Sequence, residues 1–335
     1  MSKNVTIKDI AREAGVSIAL VSFVMNNRVG ADGKQKYRVG EETKRKILEV
    51  AKRMNYRPSS AARMLRQGRT HVVGVILSDL ANIFYGILAK EFENQASRNG
   101  YTVLFGSTEE DPARFGRLVK SFMEKDVEGF IVVPASGSEE PMRALVDSGR
   151  PFVVIDRYHP DFDVPSVLVD NKNAMRLAVE AIRAQGARRI GMISYAMRIS
   201  TMEDREIAFR ELAGEEAPIY HLPFDRTAEA AEEAAEDILR RGLDGIITAS
   251  NVPSVLIIKA LLRRGVRIQK DIKIVGFDYS NVYDIFEPRI PHVLQPLPEI
   301  ARRSSEYLFN LIEARAKGED ISDKKDKIVL NAQLI

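Results

Sequence analysis

Apolar side chains recur at steps of three and four along the first fifty-odd residues, the period of helices that bury one face. Ile7, Ile10, Ala11 and Ala14 share such a face. Thr6 stands before it as a cap with acidic Asp9 three residues on, and Gly15 follows it as a stop that accepts a left-handed backbone. Ser17 is positioned to cap a second helix, which turns Leu20, Val21, Val24 and Met25 inward and leaves Ile18, Ala19, Ser22 and Phe23 outward. A third helix over 41–54 is expected to bury Ile47, Leu48, Ala51 and Met54. Two short helices joined by the tight turn Ala14-Gly15-Val16-Ser17 predict a helix-turn-helix, whose second helix has the dimensions to enter a DNA major groove.

From residue 71 the pattern changes to short apolar runs alternating with amphipathic stretches. Runs at 72–77, 102–105, 130–133 and 152–155 read as buried parallel strands, and 83–99, 112–125 and 139–148 as the helices between them. The alternation starts again with strands at 190–194, 245–248 and 274–277, and 327–335 reads as a final strand with no heptad helix after it. The expected fold is therefore multidomain: an all-α helix-turn-helix headpiece followed by an α/β core of two lobes, each a doubly wound parallel sheet. Two such halves resemble the periplasmic-binding-protein architecture, which closes on ligands by hinge motion. The expected division is a headpiece at 1–56 and a hinge helix and linker at 57–70. An effector-binding and dimerisation domain follows at 71–335, its first lobe mainly 71–157 and its second mainly 158–290.

Charge sharpens this division. The net charge is only +3, but residues 1–69 hold sixteen Lys and Arg against six Asp and Glu, a balance of +10, and the rest of the chain is at −7. A basic head on an acidic body fits the electrostatic footprint of a phosphate-binding module, and on charge alone a solvated basic face is the equal alternative. Cysteine is absent, which excludes disulfides and thiolate chemistry. No apolar run is long enough to span a bilayer, and Met1 leads into a polar helical pattern with no export segment, so a cytoplasmic location is expected.

In open α/β sheets, ligands bind beyond the carboxyl ends of the strands. That rule selects Ser78-Asp79-Leu80-Ala81-Asn82-Ile83-Phe84-Tyr85 after the first strand and Asp156-Arg157 after the fourth. In the second half it selects Asp278 and Gln295. Each has a structural alternative: Asp79 or Asn82 as a helix cap, Asp156 and Arg157 as an ion pair, Phe84 as core.

The run Thr6-Ile7-Lys8-Asp9-Ile10-Ala11-Arg12-Glu13-Ala14-Gly15-Val16-Ser17, with Val21-Ser22 and Asn26-Asn27, resembles the headpiece of the lactose/galactose repressor (LacI/GalR) family. Asn55-Tyr56-Arg57-Pro58-Ser59-Ser60-Ala61-Ala62-Arg63-Met64-Leu65-Arg66 resembles that family's hinge helix. The resemblance implies DNA contacts by Thr6, Ser17, Ile18, Ala19, Ser22, Phe23, Asn26, Arg28, Tyr56, Ala62, Arg63, Leu65 and Arg66, with Leu65 as a wedge between base steps. Phe23 departs from the hydrogen-bonding residue common at its position and suits a thymine methyl instead. For the core, the resemblance implies effector binding by Asn82, Phe84, Tyr85, Asp156, Arg157, Arg205, Ser250, Asp278 and Gln295. Ser250-Asn251 stands where the family has Asn-Asp, and Ala208 where it has Gly.

The function expected from these features is a sequence-specific transcription regulator, a repressor by its resemblance. It would bind double-stranded, near-palindromic operator DNA as a homodimer under control of a small carbohydrate effector. The alternative is a sugar-binding transport or sensing protein without a DNA role, which leaves the basic head unexplained. An enzyme is not expected: His71, His159, His221 and His292 lie at no metal-ligand spacing, and no phosphate-cradling or nucleophile-elbow motif occurs. No cofactor, metal or membrane partner is expected.

Overall fold

Reciprocal capping sets the first helix: the Thr6 hydroxyl accepts from the Asp9 amide, and the Asp9 carboxylate accepts from the Thr6 amide at 3.0 Å. This helix, α1 (Ile7–Ala14), stops at Gly15, whose φ of 67° is left-handed. Ser17 accepts from the Leu20 amide at 3.2 Å and so starts α2 (Ile18–Met25), and α3 (Glu41–Arg53) completes the bundle. Ile10, Ala11, Ala14, Val21, Ile47, Val50 and Ala51 form its buried centre. Leu48 departs from expectation: it is 45 % exposed, and Val50 is buried in its stead. The reason is angular. Steps of three and four from Ile47 reach Val50 and Ala51, whereas the residue after Ile47 lies about 100° round the helix.

The computed structural model describes residues 5–25, 39–56 and 69–335, in two units, Met1–Thr70 and His71–Ile335. Of the expected hinge at 57–70, residues 57–68 lie outside the described residues.

The second unit is built on two six-stranded sheets. The first holds β1 (Val72–Leu77), β2 (Thr102–Ser107), β3 (Gly129–Val132), β4 (Phe152–Asp156), β5 (Ser166–Val169) and β11 (Lys327–Leu330). Its order is β11-β5-β4-β3-β1-β2, parallel throughout. The second holds β6 (Ile190–Tyr195), β7 (Ile219–Leu222), β8 (Gly245–Thr248), β9 (Lys273–Phe277), β10 (His292–Leu294) and β12 (Gln333–Leu334). Its order is β12-β10-β9-β8-β6-β7, parallel except for the final antiparallel pair β10–β12. The two orders correspond strand for strand. Each core therefore reverses its winding at the same place, between β1 and β3 or between β6 and β8, where such sheets leave a crevice.

Helices α4 (Ile83–Arg98), α5 (Pro112–Glu124) and α6 (Glu139–Asp147) belong to the first lobe. The second has α7 (Asn171–Ala184), α8 (Ser200–Ala213), α9 (Thr227–Arg241) and α10 (Asn251–Arg263). The last helix, α11 (Leu297–Ala316), returns to pack on α4, β3 and β4. The chain thus crosses between lobes after β5, after β10 and after β11. The expected single C-terminal strand is two: β11 extends the first sheet, Asn331 and Ala332 make the crossing, and β12 joins the second.

Close packing behind the second sheet depends on Gly276, because a Cβ there would overlap the ring of Tyr283. Tyr283 is fully buried and donates to Ser254 Oγ at 2.8 Å. Gly276→Ala should therefore destabilise the core unit by about 1–3 kcal/mol through overpacking, read as a lowered urea midpoint with an unchanged slope.

Candidate functional site

Loops at the carboxyl ends of both sheets enclose a cavity of about 200 Å³ between the lobes. All nine residues expected to bind the effector line it: Asn82, Phe84, Tyr85, Asp156 and Arg157 from the first lobe, and Arg205, Ser250, Asp278 and Gln295 from the second or its crossing. Asp156 and Asp278 hold equivalent places, at the ends of β4 and β9, and both adopt left-handed backbone, with φ of 67° and 63°. Aspartate tolerates that region better than bulkier residues do.

The first-lobe wall is a tight polar knot. Arg157 donates through Nη1 to Glu110 Oε2 and through Nη2 to Glu110 Oε1, both at 2.9 Å. Its Nη2 also reaches Tyr85 Oη at 2.9 Å, and its Nε approaches Asp156 Oδ2 at 3.4 Å. Burial pushes the Tyr85 phenol well above its ordinary value, so it keeps its proton and donates to Asp156 Oδ2 at 3.0 Å. Burial works against the Arg157 cation, but the Glu110 and Asp156 carboxylates outweigh it and hold the guanidinium firmly charged. Ser78 Oγ donates to the same Glu110 carboxylate.

On the second-lobe side, Arg205 donates to Asn171 Oδ1 at 2.8 Å and to the Ala249 carbonyl at 2.6 Å. Its guanidinium lies 3.8 Å from the centre of the Phe277 ring. Gln295 Nε2 donates to Asp278 Oδ1 at 2.7 Å. Burial raises the Asp278 pKa to about 6, against the opposing pull of Arg205 and Gln295. Asp278 is thus mostly ionised at pH 7 and mostly protonated at pH 5. A ligand whose hydroxyls donate to the carboxylate should lose affinity on acidification through pH 6, approaching tenfold per unit, as calorimetric titrations at pH 5 and 7 would read.

Asn82 belongs to both readings offered for it. Its Oδ1 caps α4 by accepting from the Phe84 amide at 3.0 Å, and it also accepts from Asn251 Nδ2 of the other lobe at 2.8 Å. The cavity also recruits residues absent from the expected set. Glu110 follows the β2 edge strand, Tyr195 ends β6, and Phe224 precedes α9. The carboxyl-end rule reaches Glu110 and Tyr195, and it reaches Phe224 once β7, absent from the expected strands, is in place.

In the first unit, Thr6 and Ser17 are exposed caps, Ile18 and Ala19 are exposed on α2, and Ser22 and Phe23 are half-buried rather than fully outward. Tyr56 is half-buried against the helical core. Asn26, Arg28, Ala62, Arg63, Leu65 and Arg66 lie outside the described residues.

A helix-turn-helix unit and a two-lobed α/β unit with a polar cleft define a DNA-binding transcription regulator with a ligand-binding core. Residues 6–59 match the bacterial regulatory proteins of the lacI family, and residues 73–283 match the periplasmic binding protein domain. The chain belongs to the LacI family. It is 31 % identical to the ribose operon repressor of Halalkalibacterium halodurans over 92 % of this chain and 91 % of that one. It is 29 % identical to catabolite control protein A of Priestia megaterium over 89 % of each. Among solved structures, the lac repressor dimer bound to operator and the anti-inducer ONPF superposes with a TM-score of 0.83. That match covers 99 % of this chain and 98 % of that one at 19 % identity, a likeness of fold. A ribose operon repressor structure from Burkholderia thailandensis, itself described as putative, shares 27 % identity with a TM-score of 0.69, covering 80 % of this chain and 99 % of that one.

Proposed function

We propose that the chain is a cytoplasmic repressor that binds a near-palindromic operator as a homodimer and responds to a sugar or sugar derivative held between its lobes. The observation that carries the ligand half is the convergence of Asp156, Arg157, Arg205, Asp278 and Gln295, with aromatic rings, on one cavity. Carboxylates and guanidinium groups pair with vicinal hydroxyls in fixed geometry, and ring faces cover the apolar side of a sugar. The DNA half is supported by the helix-turn-helix and the +10 balance of residues 1–69. The lac repressor structure, a dimer on operator, supports the paired arrangement.

In this reading residues 1–56 are the headpiece, 57–70 the hinge and 71–335 the effector-binding and dimerising core. Ile18, Ala19, Ser22 and Phe23 face base edges, Thr6, Ser17, Asn26, Arg28, Tyr56, Ala62, Arg63 and Arg66 contact the rest of the duplex, and Leu65 wedges between bases. A hinge helix this short is marginal in water, so effector-driven movement of the lobes controls whether two of them form together on DNA. The site binds and releases; it carries out no turnover.

The test is fluorescence anisotropy of labelled duplexes from upstream of the protein's own gene, over a salt series and with sugars that raise its melting temperature. Specific binding should fall steeply with salt, as counterion release requires, and should change when the stabilising sugar is added. Failure to retain any such duplex at low salt would refute the DNA reading. A sugar response with no change in DNA affinity would refute the coupling.

A further inference from the structure

The charge balance around the cleft goes beyond a general affinity for sugars, although it rests on that reading. Four carboxylates line the cavity, Asp79, Glu110, Asp156 and Asp278, against two guanidinium groups, Arg157 and Arg205. Arg157 is not at an anion's disposal, and Arg205 keeps only Nη2 without a partner among the described residues. Arg157 is committed to both oxygens of Glu110 and to Tyr85, and Arg205 to Asn171, the Ala249 carbonyl and the Phe277 face. The carboxylates retain capacity. Asp156 and Asp278 are 8 % and 5 % exposed, and each keeps one oxygen (Oδ1 and Oδ2) with no protein partner among the described residues. Asp79 spends only Oδ1, on the Ala81 amide.

Aromatic rings complete the enclosure. Tyr195 and Phe224 of the second lobe stand 5.9 Å apart and line the same cavity as Asp79 and Glu110. Burial, then the charges of Asp79 and Glu110, push the Tyr195 phenol upward, so these acids act on it across the cleft. A phosphate or carboxylate in this position would meet unneutralised acids. An ammonium would meet acids on one side and ring faces on the other, the arrangement that stabilises a desolvated cation.

We propose that the cleft is selective by charge: it takes a hydroxylated ligand bearing a primary amine, of the amino-sugar class, and rejects phosphorylated and carboxylated sugars. Glu110 sets this selectivity by occupying Arg157, the cation that would otherwise receive an anion. Asp79 supplies an open carboxylate on the cavity that the Tyr195–Phe224 rings also line.

The experiment is isothermal titration of the full-length protein with matched probes: D-glucose and D-galactose, their 2-amino forms, D-glucose 6-phosphate, D-ribose 5-phosphate and D-glucuronate. The amine should bind on the order of tenfold tighter than its neutral parent, and the anions should give no heat. Asp79→Asn keeps the acceptor for Ala81 and should erase the amine's advantage. Glu110→Gln frees Arg157 and should gain binding of a sugar phosphate, an outcome that misfolding cannot imitate. An amine no tighter than its parent, or a phosphate bound as well as the neutral sugar by the parent protein, overturns the charge selectivity and leaves the sugar cleft standing. Heat from no probe of any charge class overturns the sugar reading beneath it.

Discussion

Arg157→Ala should lower the stability of the core unit by about 3–5 kcal/mol, roughly a 10 °C fall in its melting temperature, and abolish the effector response. The Arg157, Glu110 and Asp156 side chains are 6 %, 8 % and 9 % exposed. Deleting the cation leaves two carboxylates buried without a countercharge, and the penalty is theirs rather than the worth of the lost bonds. The double substitution Arg157→Met with Glu110→Gln removes both charges and should recover most of the stability while leaving the response absent. Thermal melts of the three proteins would separate these outcomes. An alanine variant as stable as the parent would show that the knot is not a buried network.

Ile47→Ala should eliminate DNA binding while leaving the core's melting transition unchanged. Ile47 is wholly buried in the centre formed with Ile10, Val21 and Val50. Truncating it costs about 2–5 kcal/mol, comparable to the whole stability of a three-helix unit of this size. The head should then unfold while the two sheets keep their own cores, so calorimetry would show the loss of a low-temperature transition alone. A variant that retains operator affinity would contradict this.

The loops that line the cavity were legible in the chain because strand order and strand polarity together dictate where loops gather. Asp156 and Asp278 follow apolar runs that can only be buried strands, and both ends open on the crevice. Glu110 obeys the same rule but follows an edge strand that is only partly buried, so its loop carried less weight. Its role emerged from a contact 47 residues away in sequence, with Arg157. β5 and β7, four residues each, were not among the expected strands, although β3 and β8 of the same length were. At Leu48 helical angle overrides hydrophobicity: it faces outward, and Val50 takes the inward position. Phe23, outward by helical spacing, is half-buried.

In the proposed function, what occupies the cleft controls the grip on DNA. The most direct measurement is the operator dissociation constant with and without a saturating sugar that stabilises the core, made on the parent and on Asp278→Asn. The prediction is a shift on the order of tenfold or more in the parent and none in the variant, whose DNA affinity without sugar matches the parent's. Equal operator affinity in the parent with the cleft filled and empty would contradict it.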